Sequence, residues 1–126
     1  MAFSVDDDGN ITLVQGDSGE LKVSGLETDR SYTVYLAIQD SKRNPIGSEI
    51  SVLSNQQPEV IFSFTPSLTN LLTVKKGNEY EEYYYGIKAC YASENFEDTL
   101  LIGNSSFGDL NTITVYPKKV EGTVNG

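Results

Sequence analysis

The side chains that most often carry chemistry are scarce in this chain. It has no histidine and one cysteine, Cys90. Without histidine there is no imidazole base, no imidazole metal ligand and no Ser-His-Asp or Cys-His nucleophile system. Oxygen ligands and carboxylates remain. Asp6, Asp8 and Asn10 present oxygens at alternate positions, and Asp17 falls twelfth from Asp6, as in a calcium loop. Ile11, however, sits where a helix–loop–helix calcium site needs glycine, so a solvated turn is the expectation. Glu94, Glu97 and Asp98 could suggest paired carboxyls for glycoside hydrolysis. That reaction needs two carboxyls across a cleft with one held protonated, whereas these three are expected in one polar loop. Gly16-Asp17-Ser18-Gly19 lacks the lysine and helix of a phosphate loop and reads as a turn. No catalytic, cofactor-binding or metal-binding residue is therefore assigned.

The most distinctive composition is Glu79-Tyr80-Glu81-Glu82-Tyr83-Tyr84-Tyr85. Tyrosine offers an apolar face with a polar tip and is enriched at interfaces. Strand alternation would bury Tyr83 and Tyr85 and leave Tyr84 outside. Tyr35 lies in the same outward phase of another long strand pattern. Tyr35 and Tyr84 are thus the interface candidates.

The elements that would position these residues are almost all strands. Tyr32, Val34, Leu36 and Ile38 alternate with Thr33, Tyr35, Ala37 and Gln39. Val60, Phe62 and Phe64 alternate with Glu59, Ile61 and Ser63, and Tyr83, Tyr85, Ile87 and Ala89 with Tyr84, Gly86, Lys88 and Cys90. Alternation puts one face of each strand toward a core and the other toward water. Strands are read at 11–15, 21–24, 32–39, 49–53, 60–65, 79–91, 99–103 and 112–116. The second should close a hairpin on the first, and Gly86 marks a candidate bulge. Leu68, Leu71 and Leu72 alone have helical spacing. Thr65 can cap a short helix over 66–73 with Pro66 at its first position, plugging an open end. The expected fold is all-β: a single antiparallel β-sandwich, immunoglobulin-like, of about eight short strands and one short helix. Residues 1–9 would be a flexible or edge-strand arm, 10–117 the sandwich domain and 118–126 a flexible tail.

The 126 residues fit one domain and can bury a core without staples. Cys90 cannot bridge within the chain and is expected to be a buried thiol. Net charge is −9, from 18 acidic and 9 basic residues. That balance opposes binding to phosphate backbones, and Lys75-Lys76 and Lys118-Lys119 are only pairs, so no nucleic-acid partner is expected. No apolar run approaches the roughly 20 residues of a membrane helix, and the start has no signal-peptide pattern. No membrane partner and synthesis in the cytoplasm are expected.

The order of these pieces carries a resemblance. Ile11-Thr12-Leu13-Val14-Gln15-Gly16-Asp17-Ser18-Gly19 is followed by the 32–39 strand and the Leu68/Leu71/Leu72 helix. A charged turn, Tyr83-Tyr84-Tyr85-Gly86-Ile87 and Thr112-Ile113-Thr114-Val115 complete it. Over roughly residues 10–117 this resembles the immunoglobulin-like N-terminal domain of phage baseplate upper proteins and related small virion proteins. Gly86 stands where that family often has Asp, and baseplate proteins continue into a coiled coil where this chain ends. The resemblance implies a non-enzymatic bacteriophage structural protein, such as a capsid decoration or a head/tail fibre or baseplate adaptor. It would reside in the virion after synthesis in the bacterial cytoplasm. Its partners would be phage capsid, fibre or baseplate proteins, or itself; a homotrimer fits the threefold symmetry common in fibres and decorations. The alternative expectation is a carbohydrate- or adhesin-type binding module resembling fibronectin III, with Tyr80–Tyr85 as its platform.

Overall fold

A computed structural model of the chain describes residues 3–91, 96–100 and 111–118. Nine strands and one helix occur among them: β1 (Ser4–Val5), β2 (Ile11–Val14), β3 (Gly19–Ser24), β4 (Thr33–Gln39), β5 (Ile50–Leu53), β6 (Glu59–Phe64), α1 (Pro66–Thr69), β7 (Glu81–Tyr91), β8 (Phe96–Leu100) and β9 (Asn111–Tyr116). The protein is all-β apart from the single helical turn of α1.

Seven strands form one sheet in the order β1-β2-β9-β7-β4-β5, with β8 paired to β7 off that path; β3 and β6 form a second, two-stranded sheet. The larger sheet is mixed. β2 runs parallel to β9, with Ile11 opposite Ile113 and Leu13 opposite Val115, while the other pairings are antiparallel. This corrects the purely antiparallel expectation. A parallel pair cannot be joined by a tight turn and needs a crossover. Here nearly the whole chain is the crossover, and period-two patterning carries no sign of strand direction.

The expected β2–β3 hairpin does not form either. β3 pairs with β6 over its full length, Gly19 opposite Phe64 through Ser24 opposite Glu59. The chain changes sheets at Gly16, whose φ of +88° suits glycine. The crossing lets Leu13 and Leu21, both buried, contribute to one core from different sheets.

That core joins the inner faces of both sheets: Leu13, Ile113, Val115, Tyr83, Tyr85, Val34 and Leu36 from one, Leu21, Val23, Val60, Phe62 and Phe64 from the other. Burying each large side chain fully is worth about 1.5–3 kcal/mol relative to leaving it exposed. The N-terminal arm is tied to it at two points. Phe3 lies against Phe64, ring centroids 5.3 Å apart. Tyr85 is 1% exposed, and its hydroxyl donates to the Gly9 carbonyl. Removal from water, with the negative charge of Asp6 as a lesser cause, pushes the Tyr85 phenol well above its ordinary value.

The helix is shorter than the 66–73 expectation. Thr65 Oγ1 accepts from Leu68 N at 3.3 Å as its cap, with Pro66 in the first turn. Its leucine spacing misplaces one residue: Leu72 is fully buried, but Leu71 is 49% exposed. The α-helix ends at Thr69, and the turn tightens to i→i+3 bonds from Leu71 N to Leu68 O and Leu72 N to Thr69 O, so α-helical spacing no longer sets which side Leu71 faces. Thr69 is buried instead, its hydroxyl donating to the Asp17 carbonyl at 2.8 Å, and Gln15 Nε2 donates to Asn70 O at 3.0 Å. These bonds fasten the segment to the Gly16 corner.

β7 is the hub of the larger sheet. Along one side it pairs with β4 from Thr33 opposite Cys90 to Gln39 opposite Tyr84. That ladder passes Gly86 without a break, so no bulge occurs there. Along its other side β7 pairs with β9 through Tyr85 and with β8 from Ile87 onward. Gly86 is therefore where β7 changes partners. Residues 101–110, between β8 and β9, lie outside the described residues, as do 92–95 and 119–126, which include Glu94 and nearly all of the expected tail.

Candidate functional site

The alternation of β4 and β7 decides which tyrosines face the core. Tyr83 and Tyr85 are buried, 5% and 1% exposed, in phase with Ile87 and Ala89. Tyr35 and Tyr84 occupy the opposite phase and are half-buried on the outer face of the same sheet. Tyr35 stands opposite Lys88, and Tyr84 opposite Gln39. Four residues of strand thus separate the two tyrosines, about 13 Å at strand rise. Between them lies the small pair Ala37 and Gly86.

The same face carries two more aromatic rings. In β9 the buried residues are Asn111, Ile113 and Val115, so Tyr116 belongs to the outer phase with Thr112 and Thr114. Its ring meets that of Tyr80 at 6.0 Å between centroids, tilted by 53°. Tyr80 and Tyr116 are 49% and 36% exposed. Tyr80 was within the run singled out from sequence. Tyr116 was not, because its partner across the sheet could not be known without the β7–β9 register. Threonines fill the space alongside: Thr112 faces Tyr84, Thr114 faces Glu82, and Thr12 lies beyond Thr114. The outer face is consequently rich in tyrosine and threonine, with two exposed charged groups among them: Glu82 between Tyr80 and Tyr84, and Lys88 opposite Tyr35.

The Tyr84 hydroxyl donates to Glu82 Oε1 at 2.9 Å. That bond to a carboxylate favours the protonated phenol and raises the Tyr84 pKa above its ordinary value, with desolvation adding to it. Gln39 Oε1, opposite Tyr84, is buried without a hydrogen-bond partner.

The sequence-level candidates for other chemistry take structural parts. Asp6 Oδ1 accepts from the backbone N–H groups of Asp8 and Asn10, each at 2.9 Å, and Asn10 Oδ1 accepts from Thr112 N at 3.0 Å. These oxygens fold the turn and lock it to β9. Among the described residues no group of three acidic, cysteine or histidine side chains could hold a metal ion. Glu97 and Asp98 are not in a loop as expected: they belong to β8, opposite Cys90 and Ala89. The Phe96–Leu100 pairing begins earlier than apolar content suggested, because backbone pairing with β7 tolerates charged residues at a sheet margin. Cys90 is half-buried on the outer phase of β7 rather than fully buried.

One cleft of about 470 Å³ opens where the β4–β5 turn meets the start of β7, lined by Asp40, Lys42, Thr73, Lys75, Glu81 and Glu82. Its carboxylates also serve the fold. Asp40 Oδ1 accepts from Lys42 N at 2.8 Å and Asn44 N at 2.9 Å. The Asn44 amide chiefly, with Lys42 behind it, holds the Asp40 pKa below its ordinary value. Glu81 Oε1 accepts from Asn78 Nδ2 at 3.4 Å. A general acid needs the reverse shift, a carboxyl held protonated. No helix among the described residues is long and apolar enough to cross a membrane.

No protein-family model and no curated protein matches the chain.

Proposed function

We propose that this chain is a non-enzymatic structural protein that acts through protein–protein assembly, and that the assembly is a bacteriophage particle. In this reading the two sheets form a single immunoglobulin-like sandwich, and the protein is a capsid decoration or a head/tail fibre or baseplate adaptor. It is made in the bacterial cytoplasm and resides in the virion. The observation that carries the assembly reading is the outer face of the larger sheet, where Tyr35, Tyr84, Tyr80 and Tyr116 share one side. A row of half-exposed tyrosines interleaved with threonines matches the aromatic enrichment of protein interfaces. The order of strand motifs, from Ile11–Gly19 to the Tyr83–Ile87 strand, supports the phage assignment.

The carbohydrate-module alternative draws on the exposed Tyr80–Tyr116 pair. The 53° tilt of those rings works against it, since a sugar ring stacks best on a flat platform. A glycan array separates the two readings.

The experiment is incorporation. Tyr35→Ala and Tyr84→Ala, supplied during particle production, should fold as the parent does yet be lost from purified particles. Recovery of both variants in particles at the parent level would show that this face is not the contact.

A further inference from the structure

Glu82 stands in the middle of the tyrosine face. Tyr84 lies two residues further along β7 in the same outer phase, and Tyr80 lies two residues before it. Outward residues of a strand are about 7 Å apart, so Glu82 has an aromatic ring on each side within reach of one long side chain. Across the sheet it faces Thr114, and two residues beyond that threonine Tyr116 sets its ring against Tyr80. Tyr80, Glu82 and Tyr116 are all exposed. The Tyr84 hydroxyl donates to Glu82 Oε1 at 2.9 Å, which holds the carboxylate near that ring.

Lys22 pairs with Glu59, and Arg30 with Glu27 and Asp29, but among the described residues no cation pairs with Glu82. The neighbouring cleft does not supply one, because Lys42 and Lys75 line it together with Asp40 and Glu81. Lys88, also on this face, is six residues away along β7, about 20 Å at strand rise. Glu79 is exposed beside Tyr80, and the chain as a whole carries a net charge of −9. The field at this point therefore attracts cations and opposes anions and further copies of the chain.

We propose that Tyr80, Glu82, Tyr84 and Tyr116 form a docking site for an arginine side chain of a partner protein in the particle. This rests on the assembly reading above. A carboxylate matches the guanidinium fork, two N–H donors to two oxygens. A tyrosine ring accepts the flat side of the same group as a cation–π contact. The Thr114 hydroxyl, opposite Glu82, offers a further acceptor for the remaining donors. Lysine can use the carboxylate, but its compact ammonium gains less from the rings. A neutral sugar gains nothing from the charge of Glu82.

The probe is the capped tripeptide acetyl-Gly-Arg-Gly-amide, titrated into the full chain and followed by NMR. Signals of Tyr80, Glu82, Tyr84 and Thr114 should shift together and saturate. The same peptide with lysine, or with citrulline, which keeps the shape and loses the charge, should bind about fivefold or more weakly. Glu82→Gln keeps an oxygen acceptor for Tyr84 and removes the charge. It should weaken the arginine peptide by a similar factor with thermal unfolding unchanged. Glu20→Gln makes the same change in net charge on the smaller sheet and should bind as the parent does. Equal binding of the arginine peptide and either of the other two overturns the site, as does an equal loss in Glu82→Gln and Glu20→Gln. Shifts of the same signals with protein concentration alone would put a second copy on this face and overturn it as well. Incorporation into particles is scored separately. A Glu82→Gln chain retained in particles at the parent level refutes this inference alone. Arginine-peptide binding by a parent chain that is never found in particles refutes the virion assignment alone.

Discussion

Phe3 lies across Gly19, and the geometry makes the two positions mutually exclusive for larger groups. A Cβ built on Gly19 would come within 2.1–2.4 Å of three Phe3 ring carbons. Gly19 is not among the positive-φ glycines, so its backbone suits alanine and only the ring forbids it. Phe3 is half-buried and packs on Phe64. Deleting it as Phe3→Ala should cost about 2 kcal/mol, below the 3–5 kcal/mol of a fully buried phenylalanine. Gly19→Ala in the parent must expel the ring and lose the same packing. Alanine also restricts the unfolded chain, which returns about 0.4–1 kcal/mol, so the net cost is about 1–1.5 kcal/mol. In the Phe3→Ala background the space is vacant, and Gly19→Ala should stabilise by about 0.4–1 kcal/mol. The substitution thus changes sign between backgrounds, a coupling of about 2 kcal/mol. Urea unfolding of the four proteins measures it. If Gly19→Ala is equally destabilising in both backgrounds, Phe3 does not occupy that site and the N-terminal arm is not pinned as described.

Three further outcomes follow from individual polar groups. Ser54→Ala leaves the Tyr32 N–H, which donates to Ser54 Oγ at 2.8 Å, without its partner in a buried site; a loss of about 1–3 kcal/mol should appear as a lower urea midpoint. Gln39→Leu removes the buried, unpartnered Oε1 and should be neutral or stabilising by up to about 1 kcal/mol in the same assay; a loss above that would mean the amide is satisfied in solution. Asp40 should titrate by NMR below the ordinary aspartate value of about 3.9. Its folded pKa is depressed, so its contribution is fully present above the unfolded value and is lost as pH falls through the folded one. Asp40→Asn should flatten that acid limb, and a midpoint at or above the ordinary value would refute the turn geometry.

Strand placement was legible because alternation is a local property. The 32–39, 60–65 and 79–91 patterns became β4, β6 and β7, and the buried phase of each was readable directly. Pairing was not legible, because it depends on residues far apart in the chain. Nothing in Ile11–Val14 indicates a parallel partner at Ile113–Tyr116, and nothing in Gly19–Ser24 indicates β6 rather than β2. The same limit governs the outer face. The phase of Tyr35 and Tyr84 follows from each strand alone, but their sharing a face with Tyr116 needs the β4–β7 and β7–β9 registers. Leu71 shows the complementary failure, since helical spacing predicts a face only as far as the helix extends.

The most direct test of the account is the copy number of this chain in purified particles from cells that carry its gene, by quantitative mass spectrometry. Assembly as a structural component predicts a fixed number of copies per particle that survives washing at high salt. A chain found only in the soluble fraction, with none retained on particles, would contradict it.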